Sequence, residues 1–247
     1  EMLPVLNKPG LQYIVEEMAN AGLEEIILVI SKDKKAIKHY FSPDKKFERK
    51  LKKLGKQEQF NGLNELLKKV KFRFAYQDKP KGNGDAILCA KKFIGNEPFA
   101  CADADGIIAS SIPATKQLLD VFYEKQAPVI GVQRLIDKQA MTKYGNVYGL
   151  PESERVYRVE KFAEKPDIEN VSPHGLIVGG MRYIFTPDIW QELKVCKKGR
   201  GGEIWAADAA NNLAKKAPFY ALVYEGKYLD NGRVESWLET NKYFFEK

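Results

Sequence analysis

Residues 25–31 have the sequence EIILVIS, a continuous run of apolar and mostly β-branched side chains. A strand that is covered by helices on both faces shows this pattern, whereas a half-exposed strand alternates. Residues 9–21, just before it, carry apolar side chains at helical spacing, and Gly22 follows as a helix stop. The two stretches predict a helix followed by a buried strand, which is the repeating unit of an α/β fold.

The same alternation continues from this pair along the chain. We expect further strands at 70–76, 98–104 and 127–134, and helices at 34–41, 45–69, 85–92 and 112–126. After residue 144 we expect short strands at 145–148, 156–163 and 176–185, then helices at 203–216 and 236–245 around a strand at 220–225. The pattern predicts an α/β, Rossmann-like, mixed and mostly parallel sheet flanked by helices, with a small antiparallel lobe.

The composition excludes several classes of protein. The chain has 247 residues, of which 44% are hydrophobic, which suffices for the core of one large domain. No apolar run reaches the length of about 18 residues that a membrane-spanning helix needs, so we expect no membrane partner. The three cysteines lack metal-ligand spacing, and their odd number favours a reducing, cytoplasmic location.

The net charge of +7 raises the question of a nucleic-acid ligand. Much of the excess lies in residues 32–71, where lysines alternate with glutamates. This composition is typical of a solvated helical insertion, and aromatic side chains interleaved with arginines, which single-strand binders use, are not evident. We therefore expect no nucleic-acid partner, although a mild positive field would help to attract triphosphates.

The first motif of chemical interest occupies residues 77–86, QDKPKGNGDA, where a strand is predicted to end. Open α/β sheets bind ligands at that edge. Gly82 and Gly84 precede a helix, so a phosphate or a flat ligand can approach the backbone N–H groups closely. Gln77 has both a donor and an acceptor for the edge of a nucleobase. An ordinary strand-to-helix turn is the alternative.

Two carboxylates end the strand predicted at 98–104. Asp103 and Asp105 are two residues apart, so we expect both to project from the same face of an extended chain. Mg²⁺ binds proteins through one or two such carboxylates together with substrate phosphates. Asp230 lies before a later turn and becomes informative only as a partner for Asp105. Turn formation by Asp and Gly is the alternative at both places.

A carboxylate and an ammonium group follow one another at the end of the strand predicted at 156–163. Glu164 and Lys165 precede Pro166. The carboxylate can accept hydrogen bonds from neighbouring sugar hydroxyls, and the lysine is a compact charge for a phosphate. An exposed Glu/Lys pair without a ligand is the alternative.

The order of these motifs resembles that of the bacterial and archaeal UTP–glucose-1-phosphate uridylyltransferases, in the sugar-1-phosphate nucleotidyltransferase family. The resemblance rests on EMLPVLNKP at 1–9, Gln77 with GNGDA at 82–86, Tyr144-Gly145, Glu164-Lys165-Pro166, and Gly202-Glu203-Ile204 with Asp208-Ala209. It covers nearly the whole chain. It implies a nucleotide-diphospho-sugar transferase fold, with a nucleotide-binding part at 1–143 and a sugar-binding part with closing helices at 144–247.

The resemblance also implies a reaction and a set of site residues. UTP and glucose 1-phosphate would give UDP-glucose and pyrophosphate, with Mg²⁺ as cofactor. The nucleotide would be contacted by Gln77, Gly82, Gly84 and Asp85, and the sugar by Gly145, Glu164, Gly180 and Glu203. Asp105 and Asp230 would hold the metal, and Lys165 would act with Asp105 in catalysis by binding the sugar phosphate.

Several departures from the family pattern leave alternatives open. The family begins with a strand and a glycine-rich G-x-G-T-R loop, which this sequence from Glu1 onward does not contain. Ala104, Met181 and Trp205 also stand where the family usually has other residues. The alternatives are dTTP with glucose 1-phosphate, GTP with mannose 1-phosphate, or a non-catalytic sugar-nucleotide-binding homologue. By analogy with relatives, we also expect a homo-oligomer.

Overall fold

The first part of the chain alternates helices and strands, as predicted. A computed structural model describes residues 1–197, 199 and 202–247. The strands up to residue 143 are β1 (Pro4–Val5), β2 (Lys8–Pro9), β3 (Glu25–Ile30), β4 (Lys71–Tyr76), β5 (Phe99–Ala102), β6 (Gly106–Ala109) and β7 (Val129–Arg134). The helices are α1 (Gly10–Asn20), α2 (Lys35–Tyr40), α3 (Lys45–Lys53), α4 (Asn61–Lys69), α5 (Asn83–Ile94), α6 (Ala114–Lys125) and α7 (Lys138–Met141).

The second part is richer in short strands. They are β8 (Gly145–Pro151), β9 (Val156–Glu164), β10 (Leu176–Ile177), β11 (Arg182–Phe185), β12 (Tyr220–Val223) and β13 (Lys227–Asp230). The helices are α8 (Ile189–Val195), α9 (Ala206–Ala214) and α10 (Val234–Phe245). The single strand predicted at 176–185 is divided into two, because Gly180 has a φ of 65°, outside the region that strands occupy.

Seven strands form one mixed sheet in the order β10–β8–β9–β12–β7–β11–β5. β12 is parallel to β7, whereas β11 lies antiparallel between β7 and β5. The mixed α/β architecture is confirmed, but antiparallel pairs outnumber parallel ones among the described strands, contrary to the predicted mostly parallel sheet. The reason is that β11 returns from the later part of the chain and separates β5 from β7, which themselves run in the same direction.

Helices cover both faces of this sheet. Tyr183 and Ile184 are neighbours on β11, yet they belong to different apolar clusters, so these clusters lie on opposite faces. One cluster includes side chains of α5, α8 and α9, and the other includes side chains of α6. Within the described ranges, none of the helices is both long enough and apolar enough to cross a membrane.

The predicted antiparallel lobe consists of β8, β9 and β10. Gly145 at the start of β8 lies opposite Glu164 at the end of β9. β9 also pairs with β12, so the lobe continues the main sheet. The parts before and after residue 143 therefore share one sheet.

A cleft of about 1080 Å³ separates β3 from β5. Among the described strands β3 pairs only with β4, and β5 pairs only with β11. Every residue of β3 and of β5 lines the cleft. Because successive side chains of a strand point to opposite faces, this means that the backbone edges of both strands border it. Apolar side chains of α1 and α5 complete the lining.

Candidate active site

Asp105 and Asp230 meet across the two short antiparallel strands β6 and β13. Gly106 lies opposite Asp230 in this pair, and the N–H of Asn231 donates to the carbonyl oxygen of Asp105 over 3.0 Å. A Cβ placed on Gly232 would lie 3.1 Å from Oδ1 of Asp230 and 3.2 Å from Oδ2 of Asp105. Both carboxylates therefore border one small space, as the hypothesis of a shared cation requires.

The polar groups at this point fit a hard divalent cation. Burial and the neighbouring carboxylate of Asp230 raise the pKa of Asp105 above its usual range, and a cation would remove that repulsion. Among the described residues, the buried side chain of Asn231 finds no hydrogen-bond partner at either Nδ2 or Oδ1. In the described part of the chain no three His, Cys, Asp or Glu side chains form a metal site. Two carboxylates are a set of ligands that Mg²⁺ can use together with substrate phosphates.

Asp103 has a different partner. The predicted strand 98–104 ends at Ala102, so the alternation that was expected to align Asp103 with Asp105 does not apply. Oδ1 of Asp103 lies 3.5 Å from Nη1 of Arg182. Burial raises the pKa of Asp103 to about 6, although the charge of Arg182 acts in the opposite direction. Asp105, rather than Asp103, is therefore the carboxylate that borders the space beside Gly232 together with Asp230.

A second cavity, of about 260 Å³, lies where the lobe joins the sheet. Three of the residues expected to contact a sugar line it, namely Gly145, Glu164 and Gly180. A Cβ on Gly145 would lie 3.0 Å from Oε2 of Glu164, so a larger residue would crowd this carboxylate. Burial raises the pKa of Glu164, the neighbouring Lys165 lowers it and Asp208 raises it. The cavity thus contains a partly buried carboxylate that can accept hydrogen bonds.

Lys165 adjoins this cavity through Glu164. Its φ is 43°, a value that is uncommon for a residue with a side chain. Its N–H donates to the carbonyl oxygen of Tyr144 over 3.2 Å, and its Nζ lies 3.9 Å from Oε1 of Glu164. The side chain is 63% exposed, so its charge is accessible to a ligand.

The nucleotide motif is closed by hydrogen bonds from Gln77. Its Nε2 donates to the carbonyl oxygen of Gly82 over 3.1 Å and to Oδ2 of Asp85 over 2.8 Å. Gly82 has a φ of 94°, which favours glycine. A Cβ on Gly82 would collide with the carbonyl oxygen of Ile204, and one on Gly84 would lie 2.7 Å from Cγ2 of Ile204. Glycine is required here because the turn packs on Ile204, a contact that the sequence pattern did not predict.

The segment around Ile204 also contributes to the lining of the second cavity, where Glu203 was the residue expected from the sequence. Trp205 and Ala207 line the cavity, whereas Glu203 is absent from its lining. The Cβ of Glu203 lies 3.0 Å from the position of a Cβ on Gly82. Glu203 therefore borders the nucleotide motif, and its contact with the sugar stays a prediction.

Three residues line both cavities, and they mark the boundary between them: Asn83, Asp103 and Met181. Oδ1 of Asn83 accepts the N–H of Ala206 over 2.8 Å at the start of α9, and its Nδ2 lies 3.4 Å from Sδ of Met181. The only sequence signal for Asn83 is its position between two glycines at the beginning of a helix, which does not by itself indicate this contact.

The chain is similar to known proteins over nearly its whole length. The family model described as nucleotidyl transferase matches residues 1–247. A UTP–glucose-1-phosphate uridylyltransferase of Staphylococcus haemolyticus is 39% identical over 97% of this chain and 82% of its own. One of Bacillus subtilis is 36% identical over 99% of this chain and 82% of its own. The crystal structure of apo UDP-glucose pyrophosphorylase matches with a TM-score of 0.93 and 33% identity, over 100% of this chain and 90% of that chain.

Proposed function

Because the chain belongs to the nucleotidyl transferase family, among the UTP–glucose-1-phosphate uridylyltransferases, we propose that it transfers the uridylyl group of UTP to glucose 1-phosphate. The products are UDP-glucose and pyrophosphate. Support comes from the names of the relatives and from a match to UDP-glucose pyrophosphorylase complexed with UDP-glucose, with a TM-score of 0.87. The resemblance inferred from the order of the motifs, and the fold it implied, are confirmed by the same comparisons.

The convergence of Asp105 and Asp230 is the observation that carries this proposal. Two anionic substrates must approach each other, and their charges repel unless a cation lies between them. The carboxylates meet beside the turn that contains Asp103, and Asp103 lines both cavities. Asn83, in the turn proposed for the nucleotide, and Asp103 both line the cavity proposed for the sugar, so the cation position lies close to both parts of the site.

In the reaction, an oxygen of the sugar phosphate attacks the α-phosphorus of UTP, a new P–O bond forms, and the bond to the β-phosphate breaks to release pyrophosphate. Mg²⁺ held by Asp105 and Asp230 would neutralise charge on the phosphates during this step. Lys165 holds the sugar phosphate, and Glu164 accepts hydrogen bonds from sugar hydroxyls. The protein contributes alignment and electrostatics, as in other phosphoryl transfers.

Gln77 is proposed to recognise the base. Its Nε2 is occupied by Gly82 and Asp85. In the described part of the chain its Oε1 accepts no hydrogen bond, so this oxygen is available to an N–H group of uracil. Gly84 lets the turn pack closely, and Gly145 and Gly180 border the sugar. Glu203 is proposed to act indirectly, through its contact with the Gly82 turn.

The homo-oligomer and the cytoplasmic location expected from the sequence remain proposals. An apolar stripe on α10 supports self-association, since Val234, Leu238 and Phe245 are 65%, 56% and 82% exposed and share one face of the helix. The described cysteines form no disulfide, which accords with a reducing compartment. Sedimentation of the wild type and a Leu238→Lys variant tests the first point, since only the wild type should associate.

Release of pyrophosphate from a panel of substrates tests the proposed reaction. The panel combines UTP, dTTP and GTP with glucose 1-phosphate and mannose 1-phosphate, with Mg²⁺ and with EDTA. The assay is run on residues 1–247 and on a protein that is extended at its N-terminus by the G-x-G-T-R loop typical of the family. We expect the highest kcat/KM for UTP with glucose 1-phosphate and no turnover in EDTA. A higher value for another pair would select an alternative specificity, and binding of UDP-glucose without turnover by any pair would select the non-catalytic homologue.

A further inference from the structure

We propose that Arg182 is a positioning residue. It holds the acidic turn before β6 (residues 103–105) against the glycine turn before β11 (residues 179–180), so that the cation position stays aligned with the second cavity, which we call the sugar cavity. This inference rests on the proposed function. It adds a residue that the sequence motifs did not single out.

One buried guanidinium group reaches both turns. The side chain of Arg182 is 1% exposed. Its Nη1 donates to the carbonyl oxygen of Gly180 over 2.9 Å, and its Nη2 donates to that of Gly106 over 3.1 Å. Gly180 lines the sugar cavity, and Gly106 follows Asp105 and lies opposite Asp230. The rigid fork of the guanidinium therefore fixes the distance between the two carbonyl groups.

The two turns have no room to move closer together. A Cβ on Gly106 would lie 2.8 Å from Cα of Gly180, and one on Gly180 would lie 2.9 Å from Cδ2 of Tyr228. Arginine prevents the turns from separating, and the glycine contacts prevent closer approach. Any shift of Gly106 would pass directly to Asp105, the preceding residue in the chain.

The guanidinium group is also bound through its Nε atom. Its Nε donates to Oε2 of Glu17 over 3.2 Å, and the side chain of Glu17 is 9% exposed. Glu17 also accepts the N–H and the hydroxyl of Thr115 at the start of α6, over 2.6 and 3.0 Å. Helices α1 and α6 thus anchor the arginine. A buried ion pair is weak evidence of a contribution to stability, so this geometry points to alignment of the site.

Arg182→Lys tests the inference, because lysine keeps the charge but cannot donate to both carbonyl groups in a fixed plane. The control is Lys216→Met, which removes the partner of another buried carboxylate, Glu192, whose oxygens lie 2.7 and 2.9 Å from Lys216 Nζ. Glu192 lines neither cavity. Both variants are assayed for kcat, for the Mg²⁺ concentration at half-maximal rate, for the KM of each substrate and for Tm.

We expect Arg182→Lys to lower kcat by about tenfold or more, since displacement of about 1 Å at a reacting centre has effects of that order. The Mg²⁺ requirement should rise severalfold. Lys216→Met should lower Tm while kcat and the Mg²⁺ requirement stay within about twofold of the wild type. An Arg182→Lys protein that loses Tm but keeps both kinetic values would overturn the inference.

A second variant covers the case in which Arg182→Lys does not fold. Glu17→Gln removes the anchoring charge and keeps the size of the side chain. We expect a raised Mg²⁺ requirement and weaker binding of UDP-glucose with Mg²⁺ by calorimetry, and unchanged values would refute the positioning role. If the wild-type protein released no pyrophosphate, the proposed function would fail instead, and the calorimetric comparison of wild type and Glu17→Gln would still decide the role of Arg182.

Discussion

Gly106 and Asp230 lie opposite each other in the pairing of β6 with β13. This register places Asp105, the residue before Gly106, next to the carboxylate of Asp230. Since a slip of one residue would turn the side chains to the other face, two strands of four residues each determine where a cation would bind.

Replacing Asp105 by Ala should abolish turnover and leave the fold intact. The loss should be about hundredfold or more, because a cation supplies several kcal/mol of transition-state stabilisation. Tm should not fall, since the change removes repulsion from Asp230. Pyrophosphate release and thermal unfolding measure the two effects. Asp120→Asn, an exposed position on α6, is the control, and full turnover in the Asp105 variant would exclude this residue from the mechanism.

Replacing Asp103 by Asn should change the pH dependence of stability. Burial raises the pKa of Asp103 from 3.8 to about 6, so the folded state keeps a proton that the unfolded state releases. Its contribution to stability is fully present below about pH 4 and is lost as the pH rises through about 6. The variant should therefore gain about 2 to 3 kcal/mol at pH 7 and little at pH 4. Urea unfolding in EDTA at both pH values checks this, and an equal gain at both would contradict it.

Replacing Lys165 by Ala should weaken use of the sugar phosphate. We expect kcat/KM for glucose 1-phosphate to fall by about tenfold or more, as for the loss of a charge-assisted contact, with little change in the KM for UTP. Tm should stay close to that of the wild type, because the side chain is 63% exposed. Lys138→Ala on α7 is a control for the loss of a surface lysine. An unchanged kcat/KM for the sugar phosphate would reject the role.

The fold was predictable where local pattern decides it. The run at 25–31 contains the strand β3, although only its alternate residues Ile26, Leu28 and Ile30 are fully buried, and the apolar spacing at 9–21 contains the helix α1. The insertion of β11 between β5 and β7 was not predictable, because pairing between distant segments leaves no periodic signal in either one. β13 was not predictable either, since a strand of four residues is too short to establish an alternation.

The candidate site was predictable from the order of its motifs rather than from any single motif. Gln77, Asp105 and Glu164 each had an ordinary structural alternative, and the structure brings Asp105 to Asp230 and Glu164 to the sugar cavity. The contact of Ile204 with the glycine turn was not predictable, because the two segments lie more than a hundred residues apart in the sequence. The sequence does contain a signal for Arg182. It begins the otherwise apolar strand RYIF, and an arginine in such a strand needs several polar partners if the strand is buried.

The cleft between β3 and β5 should accept one additional strand. Among the described strands β3 pairs only with β4 and β5 only with β11, so a strand between them would form hydrogen bonds with both free edges. Hydrogen exchange tests this on residues 1–247 and on a protein that is extended at its N-terminus by a strand-forming segment. Amides along β3 and β5 should exchange more slowly in the longer protein, and equal rates would show that the cleft stays open.

The packing of Gly82 and Gly84 against Ile204 connects the turn proposed for the nucleotide with Trp205, which lines the cavity proposed for the sugar. The Gly84 N–H donates to the carbonyl oxygen of Ile204, and the Ile204 N–H donates to that of Lys81, so a nucleotide that steadies this turn also steadies the neighbouring Trp205. Linkage requires the effect to be reciprocal. If ordering of this turn also orders Trp205, a sugar bound in the cavity that Trp205 lines should strengthen nucleotide binding by the same factor.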